Sequence, residues 1–192
     1  MCLQDKKIRA CIFDMDGVLV NTEKYHFMAW QRLTETLGFT IDEKFNENLK
    51  GVSRSVCVDL ILKHGGLTKT QEEKNALAAQ KNEWFLEFVK TEVTPANVYP
   101  GVLDFLHSLK SKGYKTAVGS ASKNTMLLLN KLEIIQYFDA IVDGNMIEKA
   151  KPNPEVFLKG AELLNVRPCE CVVFEDAYSG VEAAKNGGMY CI

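Results

Sequence analysis

Four short apolar runs, the last three ending in small or acidic residues and the first running straight into Asp14, constrain the fold more than anything else in this chain. They are ACIF at 10–13, TAVGSA at 116–121, AIVDG at 140–144 and CVVFED at 171–176. Continuous apolar runs of this length suit strands buried on both faces, as in a parallel sheet. Helical patterns separate the later runs: 102–112, stopped by Gly113, then 123–132 and 154–164, with 179–185 following the last run ahead of Gly187 and Gly188. Strands alternating with helices predict an α/β fold, a doubly wound parallel sheet of Rossmann-like type. With 192 residues, 46% of them apolar, the chain has material for a sizeable core.

The alternation fails between the first run and the second. From Thr22 to about Thr91 there is no strand candidate, only helical stretches at 23–37, 53–63 and 70–90, the last patterned on Leu77, Trp84, Leu86 and Phe88. The segment 93–101, VTPANVYPG, with two prolines, reads as the linker back. The expected organisation is a discontinuous α/β core domain of residues 1–21 and 93–192, with an inserted all-helical cap domain at 22–92.

Ligands of parallel sheets collect at the carboxyl ends of the strands, and here those ends carry related chemistry. The first run delivers Asp14 and Asp16, the second Ser120, the AKPNP segment Lys151, and the last run Glu175 and Asp176. Singly, each has an ordinary explanation. Asp-x-Asp-Gly is often a surface turn, Ser120 a helix-cap residue, Lys151 a solvated charge and Glu175-Asp176 a helix N-cap. Together, carboxylates converging on one rim repel unless a cation sits among them, and hard oxygen ligands suit Mg²⁺. A hydroxyl and an ammonium on the same rim suit a phosphate, so the chemistry indicated is phosphoryl transfer. Asp14, ending its strand, is placed as the nucleophile, and Asp16 as the group that gives and takes protons. Gly17 permits the tight turn between them and the chain beyond.

Composition excludes other classes. Net charge is -2, from 23 basic and 25 acidic residues with no dense basic run, so nucleic acid is not an expected partner. No uninterrupted apolar stretch is long enough for a membrane span, and the N-terminal MCLQDKKIRACIF has no signal-peptide pattern. Cys2, Cys11, Cys57, Cys169, Cys171 and Cys191 lack metal-type spacing and are expected to be reduced, structural thiols in a cytoplasmic protein.

FDMDG (13–17), the Ser120 strand end, Lys151-Pro152 and FEDAYSG (174–180) resemble the four motifs of the haloacid dehalogenase superfamily across essentially the whole chain. The helical insertion is similar to the small cap of one subgroup. NTEKYHFMAW (21–30), FNENLKGVSR (45–54), QKN (80–82), YPG (99–101) and GSASKN (119–124) are similar to its phosphosugar mutases. The resemblance implies conversion of β-D-glucose 1-phosphate to β-D-glucose 6-phosphate through β-D-glucose 1,6-bisphosphate, with Mg²⁺, by a monomer whose partner is a small sugar phosphate. It implies that Asp14 is phosphorylated while Asp16 acts as general acid and base. It implies a metal held by Asp14, the Asp16 carbonyl and Asp176, with Glu175 as ligand or support. Ser120 and Lys151 would hold the transferring phosphate, and Arg54, Ser122, Lys123 and Asn124 the distal one. Gly51, Val52 and Ser53 would line the sugar site, Lys81 would contact sugar oxygens, and His26 would couple substrate to Asp16. A mutase needs that second anion site because its substrates carry phosphate at either end. The chain departs from the resemblance at Cys57, where the family usually has serine, so a hydroxyl near the sugar is lost. It ends at Met189 to Ile192 within what reads as a further strand, whereas family members continue, so the sequence is read as a fragment.

Overall fold

In the structure, a computed structural model, residues 7–192 are described; Cys2 lies outside them. The core is a five-stranded, wholly parallel sheet formed by β1 (Ala10–Phe13), β2 (Lys115–Gly119), β3 (Ala140–Val142), β4 (Cys171–Phe174) and β5 (Tyr190–Cys191), in the order β3-β2-β1-β4-β5. This doubly wound order puts β1 in the centre, with Ala10 level with Lys115 on one side and Cys171 on the other. The loop carrying Asp14 and Asp16 therefore leaves the sheet where the winding direction reverses, the place where such sheets bind ligands.

All four β1 residues are buried, and alternation sends them to opposite faces. Cys11 and Phe13 join Leu106 and Leu109 of α5 (Val102–Ser111) and Leu128 and Leu129 of α6 (Thr125–Lys131). Ala10 and Ile12 join Val156, Phe157 and Ala161 of α7 (Glu155–Leu163) and Ala183 and Ala184 of α8 (Tyr178–Asn186). The sheet is thus covered on both faces, as its continuous apolar strands require.

Between β1 and β2 the described chain is helical: α1 (Glu23–Thr36), α2 (Glu43–Asn46), α3 (Arg54–His64) and α4 (Gln71–Glu92), with a 3-10 turn at Glu47–Leu49. The sequence pattern contains α1, α3 and α4 but not the short α2. Ser53 caps α3 through the Val56 N–H, and Thr70 and Glu73 close a capping box at the start of α4. Trp30, Leu33, Ile41, Leu49, Cys57, Val58, Ile61 and Leu62 form a core for this layer alone. The buried stripe of α4 is Lys81, Phe85 and Val89, at i, i+4 and i+8, rather than the Leu77, Trp84, Leu86, Phe88 pattern expected; Trp84 and Phe88 are only partly buried. A lysine within the stripe hides its phase.

Two chain segments connect the layers, and they run side by side. Val20 bridges Val98, the Asn21 N–H donates to the Asn97 carbonyl (2.7 Å) and the Tyr99 N–H to the Leu19 carbonyl (3.0 Å). Tyr25, Ala29, Phe85 and Val89 continue the apolar cluster of the sheet's α5/α6 face into the helical layer, so the two layers share packing above this paired linker. Cys11, Cys57, Cys171 and Cys191 carry free thiols, and no described helix is long and apolar enough to cross a membrane.

Candidate active site

The site is built on the rim above β1, β2 and β4. The Asp14 N–H donates to the Phe174 carbonyl (2.9 Å), which extends the β1/β4 ladder by one step and aims the Asp14 carboxylate across the rim. Gly17 (φ +91°) turns the chain where a Cβ would lie 2.4 Å from Asp176 Oδ2, so only glycine lets the two acidic loops approach. One carboxylate oxygen from each of Asp14, Glu175 and Asp176 lies within 4.8 Å of the others. That donor set of hard oxygens fits a divalent cation of the Mg²⁺ type.

Lys151 supplies positive charge to the same cluster. Its Nζ lies 2.5 Å from Asp14 Oδ1 and 2.7 Å from Glu175 Oε2, and the side chain is wholly buried. Burial would lower its pKa, but Asp14 and Glu175 outweigh it and the ammonium is pushed up to about 12. Burial, with the charge of Asp14 beside it, raises Glu175 above the usual carboxylate range against the pull of Lys151. The Ala177 N–H donates to Glu175 Oε1 (3.1 Å) and fixes the carboxylate further. Ser120 directly follows β2, buried, with its Oγ accepting from the Ser122 N–H (3.1 Å). Its own hydrogen is thereby left to donate.

Asp16 stands one step outward and is held differently. The Thr22 hydroxyl donates to Asp16 Oδ1 instead of capping α1. Burial, reinforced by the charges of Asp14 and Glu23, raises the Asp16 pKa to about 7, with the Thr22 bond opposing. A carboxyl poised there can hold or release a proton near neutrality. His26 Nε2 lies 3.8 Å from Asp16 Oδ1, and Nδ1 lies 2.9 Å from Lys81 Nζ. A protonated Lys81 only donates, so Nδ1 then accepts, which leaves the hydrogen on Nε2 facing Asp16. That Nε2 is buried without a hydrogen-bond partner. Burial first, then the charges of Lys81 and Arg54, hold His26 well below the usual imidazole value, so the ring is neutral.

Lys81 is the costliest group in the helical layer. It is 2% exposed, with His26 as its one hydrogen-bond partner among the described residues and the faces of Trp30 and Phe85 at 4.5 and 5.0 Å. Burial is the main reason its pKa falls to about 7. Lys81→Met keeps the apolar stem and removes the desolvated head. At pH 7 it is expected to raise the stability of the ligand-free protein by about 1 kcal/mol while weakening turnover; thermal unfolding and steady-state kinetics on one preparation check both. The stability gain builds up as pH falls from about 10.5 to about 7 and is level below that. In the wild type the folded protein binds fewer protons at Lys81 than the unfolded chain between about pH 7 and 10.5, so stability is recovered as pH rises.

Gly51, Val52 and Ser53 of the loop before α3 and Arg54, which opens that helix, are joined by Ser122 and Lys123 of the loop after β2. With Asp14, Asp16, His26, Lys81, Ser120 and Asp176 they line one cavity of about 520 Å³, in the size range of small-molecule sites. Asn124 is not part of that wall; its amide donates to Asn82 Oδ1 of α4 (2.8 Å), joining the two layers. Cys57 does line the cavity, and its thiol donates to the Leu49 carbonyl (3.3 Å). Thr22, through Asp16, and Glu23 and Lys50 of the cavity wall also meet at the site and are not singled out by the sequence pattern. Thr22 follows the Asp-x-Asp-Gly turn closely enough that its position is a usable signal; the others depend on how distant segments pack.

A doubly wound core with an acidic, lysine-braced rim and a helical layer inserted after β1 is the arrangement of a haloacid dehalogenase-like enzyme. Residues 8–188 match the family described as haloacid dehalogenase-like hydrolase, and the chain belongs to that family. It is 39% identical to a β-phosphoglucomutase of Bacillus subtilis over 96% of this chain and 82% of that protein. The crystal structure of a β-phosphoglucomutase from Clostridium difficile superposes with a TM-score of 0.92 at 41% identity, covering 96% of this chain and 83% of the other. A phosphorylated carbohydrates phosphatase of Thermotoga maritima is 35% identical over 95% of this chain and 82% of that protein.

Proposed function

We propose that this protein is a β-phosphoglucomutase, interconverting β-D-glucose 1-phosphate and β-D-glucose 6-phosphate through an aspartyl-phosphate and β-D-glucose 1,6-bisphosphate. The observation that carries this reading is the cavity itself. Arg54 and Lys123, from different layers, share its wall with Asp14 and Ser120. A bisphosphorylated sugar needs a cation pair at the end away from the nucleophile, and a simple phosphatase does not.

In this reading the free C6 hydroxyl of β-D-glucose 1-phosphate attacks the aspartyl-phosphate; Asp16 takes its proton, and the bond from phosphorus to Asp14 breaks. After the resulting 1,6-bisphosphate turns over, the freed Asp14 carboxylate attacks the C1 phosphorus, the bond from phosphorus to the C1 oxygen breaks, and Asp16 donates its proton to that oxygen. Ser120 donates to the transferring phosphate, and Lys151 offsets its charge while keeping Glu175 in place. Asp14, the Asp16 carbonyl and Asp176, with Glu175 in support, would hold Mg²⁺, which when bound neutralises charge on the phosphate oxygens. Gly51, Val52 and Ser53 line the sugar's place, and Lys81 reaches its oxygens while engaging His26. Residues 22–92 act as a cap domain that excludes water from a phosphoryl group that water would otherwise take.

The phosphatase reading keeps the same Asp14 chemistry, and the absence of a hydroxyl at Cys57 favours it. One experiment separates the two: β-D-glucose 1-phosphate, Mg²⁺ and a trace of the 1,6-bisphosphate. Glucose 6-phosphate without free phosphate is the expected product; stoichiometric free phosphate overturns the mutase reading. Arg54→Ala is expected to cost about 10- to 100-fold in kcat/KM for the mutase reaction, the worth of a charge-assisted contact to phosphate.

A further inference from the structure

The helical layer meets the core at one further point, remote in sequence and beside the site. The Ser179 hydroxyl, in the first turn of α8, donates to the Lys50 carbonyl across 3.3 Å. Gly51 follows with φ +70°, and a Cβ there would lie 2.6 Å from Ser179 Oγ and 3.2 Å from Ala177 Cβ. Glycine alone therefore lets the loop settle on α8. The ammonium of Lys50 is anchored as well, 3.2 Å from Glu23 Oε1 and 3.0 Å from Glu47 Oε1, with about a quarter of its side chain exposed. Glu23 opens α1 directly after Thr22, whose hydroxyl holds Asp16.

We infer that Lys50, Gly51 and Ser179 form a latch that holds the helical layer against the core and so positions Arg54 over Asp14. The inference rests on the mutase reading for its functional consequence, although the latch itself is a matter of geometry. The loop at 50–53 leads into α3, whose first residue is Arg54, while Ser179 lies three residues beyond Asp176. One hydrogen bond, from Ser179, thus ties the loop that leads to Arg54 to the acidic side of the cavity, and two ion pairs of Lys50 tie the same loop to the start of α1 and to the turn that precedes the loop. Lys50 and Ser179 are positioning residues: they act through Arg54 and through exclusion of water. Releasing the latch lets the layer lift more often, and each opening exposes the aspartyl-phosphate to hydrolysis, with water's oxygen forming the new bond to phosphorus and Asp14 leaving as the carboxylate.

The test uses the full chain with Ser179→Ala, Lys50→Met, the two combined, and Lys50→Arg. Phosphate released per glucose 6-phosphate formed should rise about tenfold in the double variant, the scale of one lost hydrogen bond with two partly screened ion pairs. Lys50→Arg should restore most of the wild-type ratio. Amide hydrogen exchange without sugar phosphate provides a readout independent of turnover: amides 49–54 should exchange several-fold faster in the double variant, with the sheet unchanged. Unchanged exchange at 49–54, acceleration spread over the whole chain, or an unaltered product ratio in a working mutase would each overturn the latch. If wild type releases only free phosphate, the mutase reading falls on its own. The latch then stands or falls by the exchange at 49–54.

Discussion

Asp14→Asn is expected to abolish turnover, lowering kcat by about 10⁴-fold or more, because it removes the attacking electron pair while leaving shape and packing almost unchanged. The substitution is informative because Asp14 is buried in contact with Lys151 and near Glu175 and Asp176. An amide there still accepts from Lys151, and one negative charge leaves a crowded cluster, so the fold should persist. The decisive measurement is rapid quenching with labelled bisphosphate: wild type should carry label on protein and the Asp14→Asn variant should carry none. A labelled variant would move the nucleophile elsewhere and remove the basis for every role assigned around it.

The sheet is legible in the sequence because its strands are buried on both faces and so appear as unbroken apolar runs. Their ends are less so. The runs at 116–121, 140–144 and 171–176 each extend two residues beyond the strand at the carboxyl end, since pairing stops at Gly119, Val142 and Phe174. The surplus residues, among them Ser120, Glu175 and Asp176, leave the ladder to form the rim, so the segments where pattern and pairing part are the functional ones. In the helical layer the converse holds. Composition reveals α4, but its periodicity places the stripe slightly off, since Leu77, Trp84 and Phe88 flank the fully buried line while Lys81 occupies a core position. The contacts of Thr22 with Asp16, of Glu23 with Lys50 and of Ser179 with the Lys50 carbonyl join segments whose approach no local pattern encodes. They follow from the way the two linkers pair and set the layer's angle over the sheet.

Lys151→Met should expose how far the acidic cluster depends on its own internal cation. With the ammonium gone, Asp14 and Glu175 face each other in a buried site with no opposing charge among the described side chains that touch them. Removing one partner from a buried ion pair costs about 3–5 kcal/mol, far more than the pair itself is worth. For a chain of this size that corresponds to a fall in Tm of roughly 6–20 °C. The wild-type contribution is present in full at assay pH, since a lysine raised from 10.5 to about 12 loses its stabilising effect only as pH climbs through that upper value. Mg²⁺ should narrow the deficit in the variant more than it stabilises wild type, because the ion then supplies charge that Lys151 no longer does. Activity should stay low even in saturating Mg²⁺, by about 10²- to 10³-fold, since the transferring phosphate has lost a preorganised cation. Thermal unfolding with and without Mg²⁺, beside turnover, reads both effects. A variant as stable as wild type in the absence of the metal would mean that the carboxylates do not need Lys151, and that its burial between them has some other cause.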